Sequence, residues 1–454
     1  MATPPKGTGM ARRGFLLATG AGLAAAACRG RGDEDPVTRR AGCPGGGPAP
    51  AADAAARGRV VLARAGSPER NARAVLDAWG GVEQLVGRDD LVVLKVNSQW
   101  HSQGMTNTDV LAELVRAIVK RPGGFAGEVL LADNHHDTEP DARAWATAKR
   151  NGRFNYNELV EHVRSAGAAN VGKVHWHDAG PNPEPWQFPA GNGRRVSGPG
   201  EGDGYVWDLD DCHVTPEGNR CAMTWPVFTS PVSGDVVDLK RGVWRDGAFT
   251  GRPLRVWNVS SICHHSRYGG VTAAIKNLMG VVDMTCGFQG PEPAGYFNTH
   301  YVGMRPSHRT WRWAARQAGP VKRVFHTLLP EEKALDFRHT GGVLGHLMRT
   351  VRAPDLHVVT AEWIGWGSRT HPEMAARPGV VLASPDPVTL DAVAAREVLL
   401  PATRAAGAAG APFVPYNDPD NADGPFHAFL REAQRELGGR VDAAGAEVAR
   451  LGTA

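Results

Sequence analysis

The sequence contains no C-x-x-C, no H-E-x-x-H and no Gly-Lys-Ser/Thr after a glycine-rich turn. The first absence removes a ferredoxin-type cluster and a thioredoxin-type redox pair, the second a helical zinc-protease site, the third a P-loop. Aromatic residues make up only 7% of the chain, and no apolar run is long enough to span a bilayer. Excess charge is also missing from the body. Of 51 Lys/Arg and 47 Asp/Glu, residues 1–58 hold eight and four, which leaves 43 of each. A neutral body lacks the broad basic footprint of a nucleic-acid binder, so no nucleic-acid partner is expected.

What is present at the N-terminus reads as an address. In "MARRGFLLATGAGLAAAAC" the pair Arg12-Arg13 precedes a short run of small apolar residues and then Cys28, the pattern of a twin-arginine export signal over residues 1–28. Either the leader is cut after its alanines or Cys28 carries a lipid anchor. Residues 29–58, rich in Gly, Pro, Ala and Arg, form a disordered linker. The expected location is the periplasm or the outer face of the envelope, with the twin-arginine machinery as a partner. There a disulfide between Cys212 and Cys221 would close the loop "CHVTPEGNRC". Cys263 and Cys286 are open to several readings: buried thiols, a long-range pair or ligands.

From "RVVLARA" onward, continuous aliphatic runs alternate with amphipathic segments: "LVVLKVN" (91–97), "TDVLAELVRAIVKR" (108–121), "EVLLADN" (128–134) and "YNELVEHVRSAG" (156–167). Such strands, buried on both faces and separated by helices, predict an α/β fold over 59–454 with a mostly parallel sheet and helices on both faces. Residues 180–250 lose the helical period and predict a β-rich insertion. The pattern resumes with "LRVWNVSSI", a helix over "GVTAAIKNLMGVV" (270–282), "DLHVVTAEWIGWG" and "GVVLASPDPVTLDAVAAREVLL".

Ligands of open parallel sheets bind beyond the carboxyl ends of the strands. Asn97, Asp133, Asn134, His135, His136, His264, His265, Glu362 and Ser384 all fall at predicted strand ends. Imidazole and carboxylate gathered from several strands suit a divalent transition metal, so Asp133, His135, His136, His264 and His265 are the candidate ligands of iron, manganese or zinc. Adjacent residues of an extended chain face opposite ways, so one histidine of each pair should reach a common centre. His300, His308, His326, His339 and His346 are further candidates. Gly269 and Gly270 would open the predicted helix toward an anion, with Arg267 and Lys276 adding charge. Asp386 before Pro387 reads as a helix cap, whereas Asp391 in the next turn needs another role.

Together "VVLKVN", "GMTNTDVLAELVRAI", "VLLADN", "AAIKNLMGVV" and "LASPDPVTLDAVAARE" resemble the family catalogued as domain of unknown function 362, over roughly residues 90–400. The matching positions are Lys95 and Asn97, Asp133, Lys276-Asn277-Leu278-Met279-Gly280, and Ser384, Asp386, Pro387, Leu390 and Asp391. Many members of that family carry ferredoxin-type cysteine clusters, which this chain lacks; the two His-His pairs are not part of the general pattern.

The reading that results is an exported metal-dependent enzyme, redox rather than hydrolytic, acting on an anionic small molecule. Lys276, Asn277, Asn97 and Asp391 are its candidate catalytic groups, and Arg267, Gly269, Gly270 and Lys95 its substrate contacts. The alternative is an envelope-tethered binding protein for an anionic solute.

Overall fold

A computed structural model describes residues 58–64, 66–134, 143–176, 194–288, 292–303, 337–438, 441 and 445–452. The segments expected to form an export leader and nearly all of a linker, together with His135, His136, His308 and His326, lie outside the described residues. No helix among the described residues is long and apolar enough to cross a membrane.

The strands are β1 (Arg59–Ala63), β2 (Leu91–Lys95), β3 (Glu128–Asp133), β4 (Val171–His175), β5 (Gly204–Val214), β6 (Arg220–Thr229), β7 (Val236–Asp238), β8 (Gly242–Arg245), β9 (Ala248–Phe249), β10 (Leu254–Ser260), β11 (Cys263–Ser266), β12 (Gly270–Thr272), β13 (Cys286–Phe288), β14 (Glu292–Phe297), β15 (Leu356–Ala361), β16 (Val380–Ser384) and β17 (Glu447–Leu451). Eight of them form one sheet in the order β17-β1-β16-β15-β10-β2-β3-β4. Every pairing is parallel except those of β16 with β15 and β1. The fold is therefore mixed α/β with a large, mostly parallel sheet. Alternate strand residues enter different core clusters: Val92, Leu94, Val129 and Leu131 pack with the helices Pro68–Ala78, Thr108–Val119 and Tyr156–Ser165, while Leu91, Val93, Leu130 and Ala132 join a second cluster. That two-sided burial is why these strands read as unbroken aliphatic runs.

Between β4 and β10, strands β5 to β9 pair antiparallel, and β13 and β14 extend their sheet. The expected Cys212–Cys221 disulfide is absent, and both thiols are free. The register gives the reason. Cys212 stands opposite Ala222 and Cys221 opposite His213, so the two cysteines project from opposite faces of the ribbon.

The expected helix over 270–282 is also replaced. Gly270–Thr272 is strand β12, paired with β11, and the helix is one turn, Ala274–Asn277, followed by a 3-10 turn Leu278–Gly280. Gly270 has φ +67°, and a Cβ there would sit 2.2 Å from the Tyr416 carbonyl oxygen. Glycine is needed at 270 for backbone conformation and close packing, so Gly269 and Gly270 do not open a helix toward an anion. Asp391 takes up the amides instead, accepting from Ala274 N at 2.7 Å and Ile275 N at 3.0 Å.

Candidate functional site

The parallel register aligns the carboxyl ends of three central strands. Lys95 stands opposite Ala132 on one side and Asn258 on the other, with Asp133 one residue further along β3. Lys95 Nζ is 2.7 Å from Asp133 Oδ1, and both side chains are almost wholly buried. Asp133 also accepts from Ser98 N (2.7 Å), Ser98 Oγ (2.8 Å) and Asn134 N (2.9 Å). Four donors satisfy this carboxylate in the interior. Burial pulls the Lys95 pKa down, and Asp133 opposes that pull.

A chain of amides carries the arrangement across the sheet. Asn277 donates to Asn258 Oδ1 at 2.7 Å, and Asn258 Nδ2 lies 2.7 Å from Ala274 O and 2.9 Å from His357 Nδ1. Asn277 is thus locked beside Lys95. Asn97 is fixed through its backbone, which accepts from the Tyr156 hydroxyl at 2.8 Å and donates to Thr106 Oγ1. Its side chain is left to line the cavity.

That cavity is bounded by Lys95, Asn97, Trp100, Asp133, Thr272, Lys276, Asn277 and His300, among others. It is small, about 30 Å³, room for a water or two. Lys276 is 6% exposed. Its Nζ lies 2.7 Å from Met279 Sδ and 5.0 Å from the centre of the Phe337 ring, and no carboxylate lies within ion-pair distance among the described residues. Burial, aided by Arg369, pushes its pKa down to about 7. Asp391, which holds the start of the Lys276 turn, is pushed up to about 7 by burial against the pull of its two amides. It acts by positioning that turn and does not line the cavity.

The histidines separate as their spacing requires. His264 turns to Asn417 (Nδ1 to Oδ1, 2.9 Å) and stacks on Phe413. His265 turns the other way, 3.0 Å from Thr272 Oγ1 and 3.2 Å from Arg369 Nη1. Burial, then Lys276 and Arg369, hold the His265 pKa well below its usual value. Among the described residues Asp133, His264 and His265 do not come together as a ligand group. Arg267 is exposed and folds onto Tyr268 (Nε to hydroxyl, 2.9 Å). Ser384 is displaced by topology: β16 runs against its neighbours, so the carboxyl end of β16 lies beside His357, near the start of β15. Ser384 donates to Arg59 O there. Glu362 accepts from Asn71 and His339 faces Glu217.

Sequence reasoning missed the cavity residues Gln99 and Trp100 and their neighbours Arg369 and Phe337. Arg369 lies over Trp100 at 4.0 Å from the ring centre, beside His265. Its legible signal was its place after β15, in "WIGWGSRTH", where a strand run gives way to polar residues. A larger groove of about 440 Å³ borders the helices Thr108–Val119 and Tyr156–Ser165. Its Arg153 is paired with Asp109 and Glu69, and its Glu113 with Arg73 and Arg116. Lys276, buried and without a carboxylate partner among the described residues, lines the smaller cavity instead.

The sheet and site define an α/β protein with a buried lysine at the carboxyl ends of its parallel strands. Residues 256–396 match the family model described as Domain of unknown function (DUF362), the family that the motifs resemble. The matched span holds Lys276, Asn277, His264, His265, Arg369 and Asp391; Lys95, Asn97 and Asp133 precede it. No curated protein and no solved structure matches the chain.

Proposed function

We propose that the chain is an enzyme acting on an anionic, carbonyl-bearing small molecule whose charged end enters this cavity, with Lys276 as its proton-transfer group. The observation that carries the reading is a buried lysine that feels the charge of a half-buried arginine, Arg369, neither with a carboxylate partner among the described residues. Uncompensated buried cations are costly, and a bound anion supplies the missing charge. A lysine near neutrality at pH 7 can give or take a proton there. Asn97, Asn277, Thr272 and His300 add polar groups to the wall, together with the ion pair Lys95–Asp133.

A metal-dependent redox reaction at Asp133, His135, His136, His264 and His265 has less support. Asp133 is already held by Lys95 and three further donors, and His264 and His265 face apart. Anion binding without turnover would use the same cavity. The two-cluster core further supports helices on both faces of the sheet.

The test is thermal denaturation and calorimetric titration with inorganic phosphate and a panel of small 2-oxo acids. At least one anion should raise the melting temperature of the wild type by mass action, and Arg369→Ala should weaken its binding by about tenfold or more. Indifference of the wild type to the whole panel, or equal binding by Arg369→Ala, would sink the reading.

Export is proposed on the leader alone. Fractionation of cells producing the full chain should find it outside the cytoplasm, and Arg12→Lys with Arg13→Lys should retain it inside. Identical distribution of the two would refute the route.

A further inference from the structure

Away from the Lys276 cavity, three elements distant in sequence meet around one carboxylate. His213 on β5, His346 on the helix Arg338–Thr350 and Glu436 on the helix Pro425–Leu437 each offer one metal-ligating atom, and these atoms lie within 4.8 Å of one another. Both imidazoles turn Nδ1 toward Glu436: His213 is 3.1 Å from Oε1 and His346 is 3.1 Å from Oε2. Ligands at ~2.0–2.1 Å from a tetrahedral zinc are about 3.3 Å apart. The two His–Glu436 distances, one to each carboxylate oxygen, are close to that, and the set as a whole lies within 4.8 Å.

A second carboxylate holds the other edge of that ring: His346 Nε2 is 2.6 Å from Asp211 Oδ1. This carboxylate-to-imidazole contact is the one that orients metal-bound histidines. It leaves Nδ1 facing the Glu436 carboxylate, where a positive group bridges the two. Arg349 occupies that role, with Nη2 2.8 Å from His346 Nδ1 and Nε 3.0 Å from Glu436 Oε2. Its side chain is 50% exposed, free to swing into water. His213 Nε2 is buried without a hydrogen-bond partner among the described residues, and the ring's polar contact there runs through Nδ1.

We propose that His213, His346 and Glu436 form a site for a zinc-class divalent cation, with Asp211 orienting His346 and Arg349 standing in the place of the ion. Two imidazoles and a carboxylate favour zinc, nickel or cobalt over magnesium or calcium. The ion would tie the antiparallel sheet to two helices of the main body, and its fourth position would face water. The site is independent of the Lys276 cavity and of any activity there.

Zinc is titrated into the chelator-stripped full chain, read by calorimetry and by melting temperature. One equivalent should bind, at a dissociation constant of about 1 µM or tighter, with the melting temperature rising to a plateau. Magnesium should do neither. Glu436→Gln should weaken zinc binding at least ~100-fold, whereas Arg349→Ala, an exposed truncation that removes the competing cation, should bind zinc as tightly as the wild type or more so. No zinc-dependent rise in the wild type would overturn the proposal. So would binding undiminished in Glu436→Gln, which places the metal elsewhere. If Glu436→Gln does not fold, Arg349→Ala decides: weaker zinc binding there contradicts the assigned role of Arg349.

Discussion

Lys276→Met is expected to lower affinity or turnover for the anion that stabilises the wild type by at least about tenfold, and by ~10²–10⁴ in turnover if the lysine carries the proton. The same change should make the protein more stable. Lys276 lies against Met279 and the Phe337 ring, surroundings that suit a methionine stem of similar length. The sign of the stability effect follows from proton binding. The folded pKa is about 7 against an ordinary 10.5, so between those values the unfolded chain binds more protons and the stability of the wild type rises with pH. The penalty of burying the charge is full at and below about pH 7. Lys276→Met should therefore gain on the order of a few kcal/mol at neutral pH, an advantage that shrinks toward pH 10.5. Urea unfolding of both proteins at several pH values reads the difference, which isolates this one group. A variant that binds anions as the wild type does would reduce Lys276 to packing, and a variant less stable at pH 7 would mean that its charge already has a partner.

The strands and their burial were legible because physics writes them locally. "LVVLK" and "EVLLAD" are buried at every position, and only a two-sided sheet makes that affordable for a backbone. The direction of β16 was written less plainly. No helix separates Ala361 from Val380 apart from the short turn Pro372–Met374, and parallel neighbours need a crossover of a dozen or more residues, usually helical. The missing helix was thus the available sign that β16 runs backwards and carries Ser384 away from the site.

The 270–282 segment misleads for a different reason. Its residues are buried on all sides, so periodicity cannot separate strand, turn and helix, and tertiary contacts decide. Gly270 against Tyr416 and Asp391 under the Ala274 amide are both long-range. The outward divergence of His264 and His265 was legible from strand alternation. Their partners, Asn417 and Arg369, were not, because each lies about a hundred residues or more away. Lys276 was found because a charged residue inside an aliphatic run needs compensation and Asp133 because it ends such a run, whereas Arg369 sits in a polar loop where charge is ordinary.

The buried pair beneath the cavity should respond unequally to loss of its two members. Asp133→Ala removes the counter-ion of Lys95 and the acceptor of three further donors. Removing one partner of a buried pair costs ~3–5 kcal/mol because the other charge is stranded, and the orphaned Ser98 and Asn134 amides add to it. Lys95→Met should cost less, about 1–3 kcal/mol, since Asp133 keeps its three hydrogen bonds from Ser98 and Asn134. The Lys95→Met/Asp133→Ala double mutant should lose less than the sum, because the stranded charge is gone. Gly280 gives an independent route to the same pair. A Cβ there would lie 2.0 Å from Asp133 Oδ1 and 2.7 Å from Lys95 Nζ, so Gly280→Ala must push the ions apart and should destabilise about as much as Asp133→Ala. Urea unfolding of the four variants tests the set. Equal losses for Asp133→Ala and Lys95→Met, or losses under about 1 kcal/mol, would mean that water reaches the pair and that the cavity floor is not the dry, preorganised surface an uncompensated Lys276 requires.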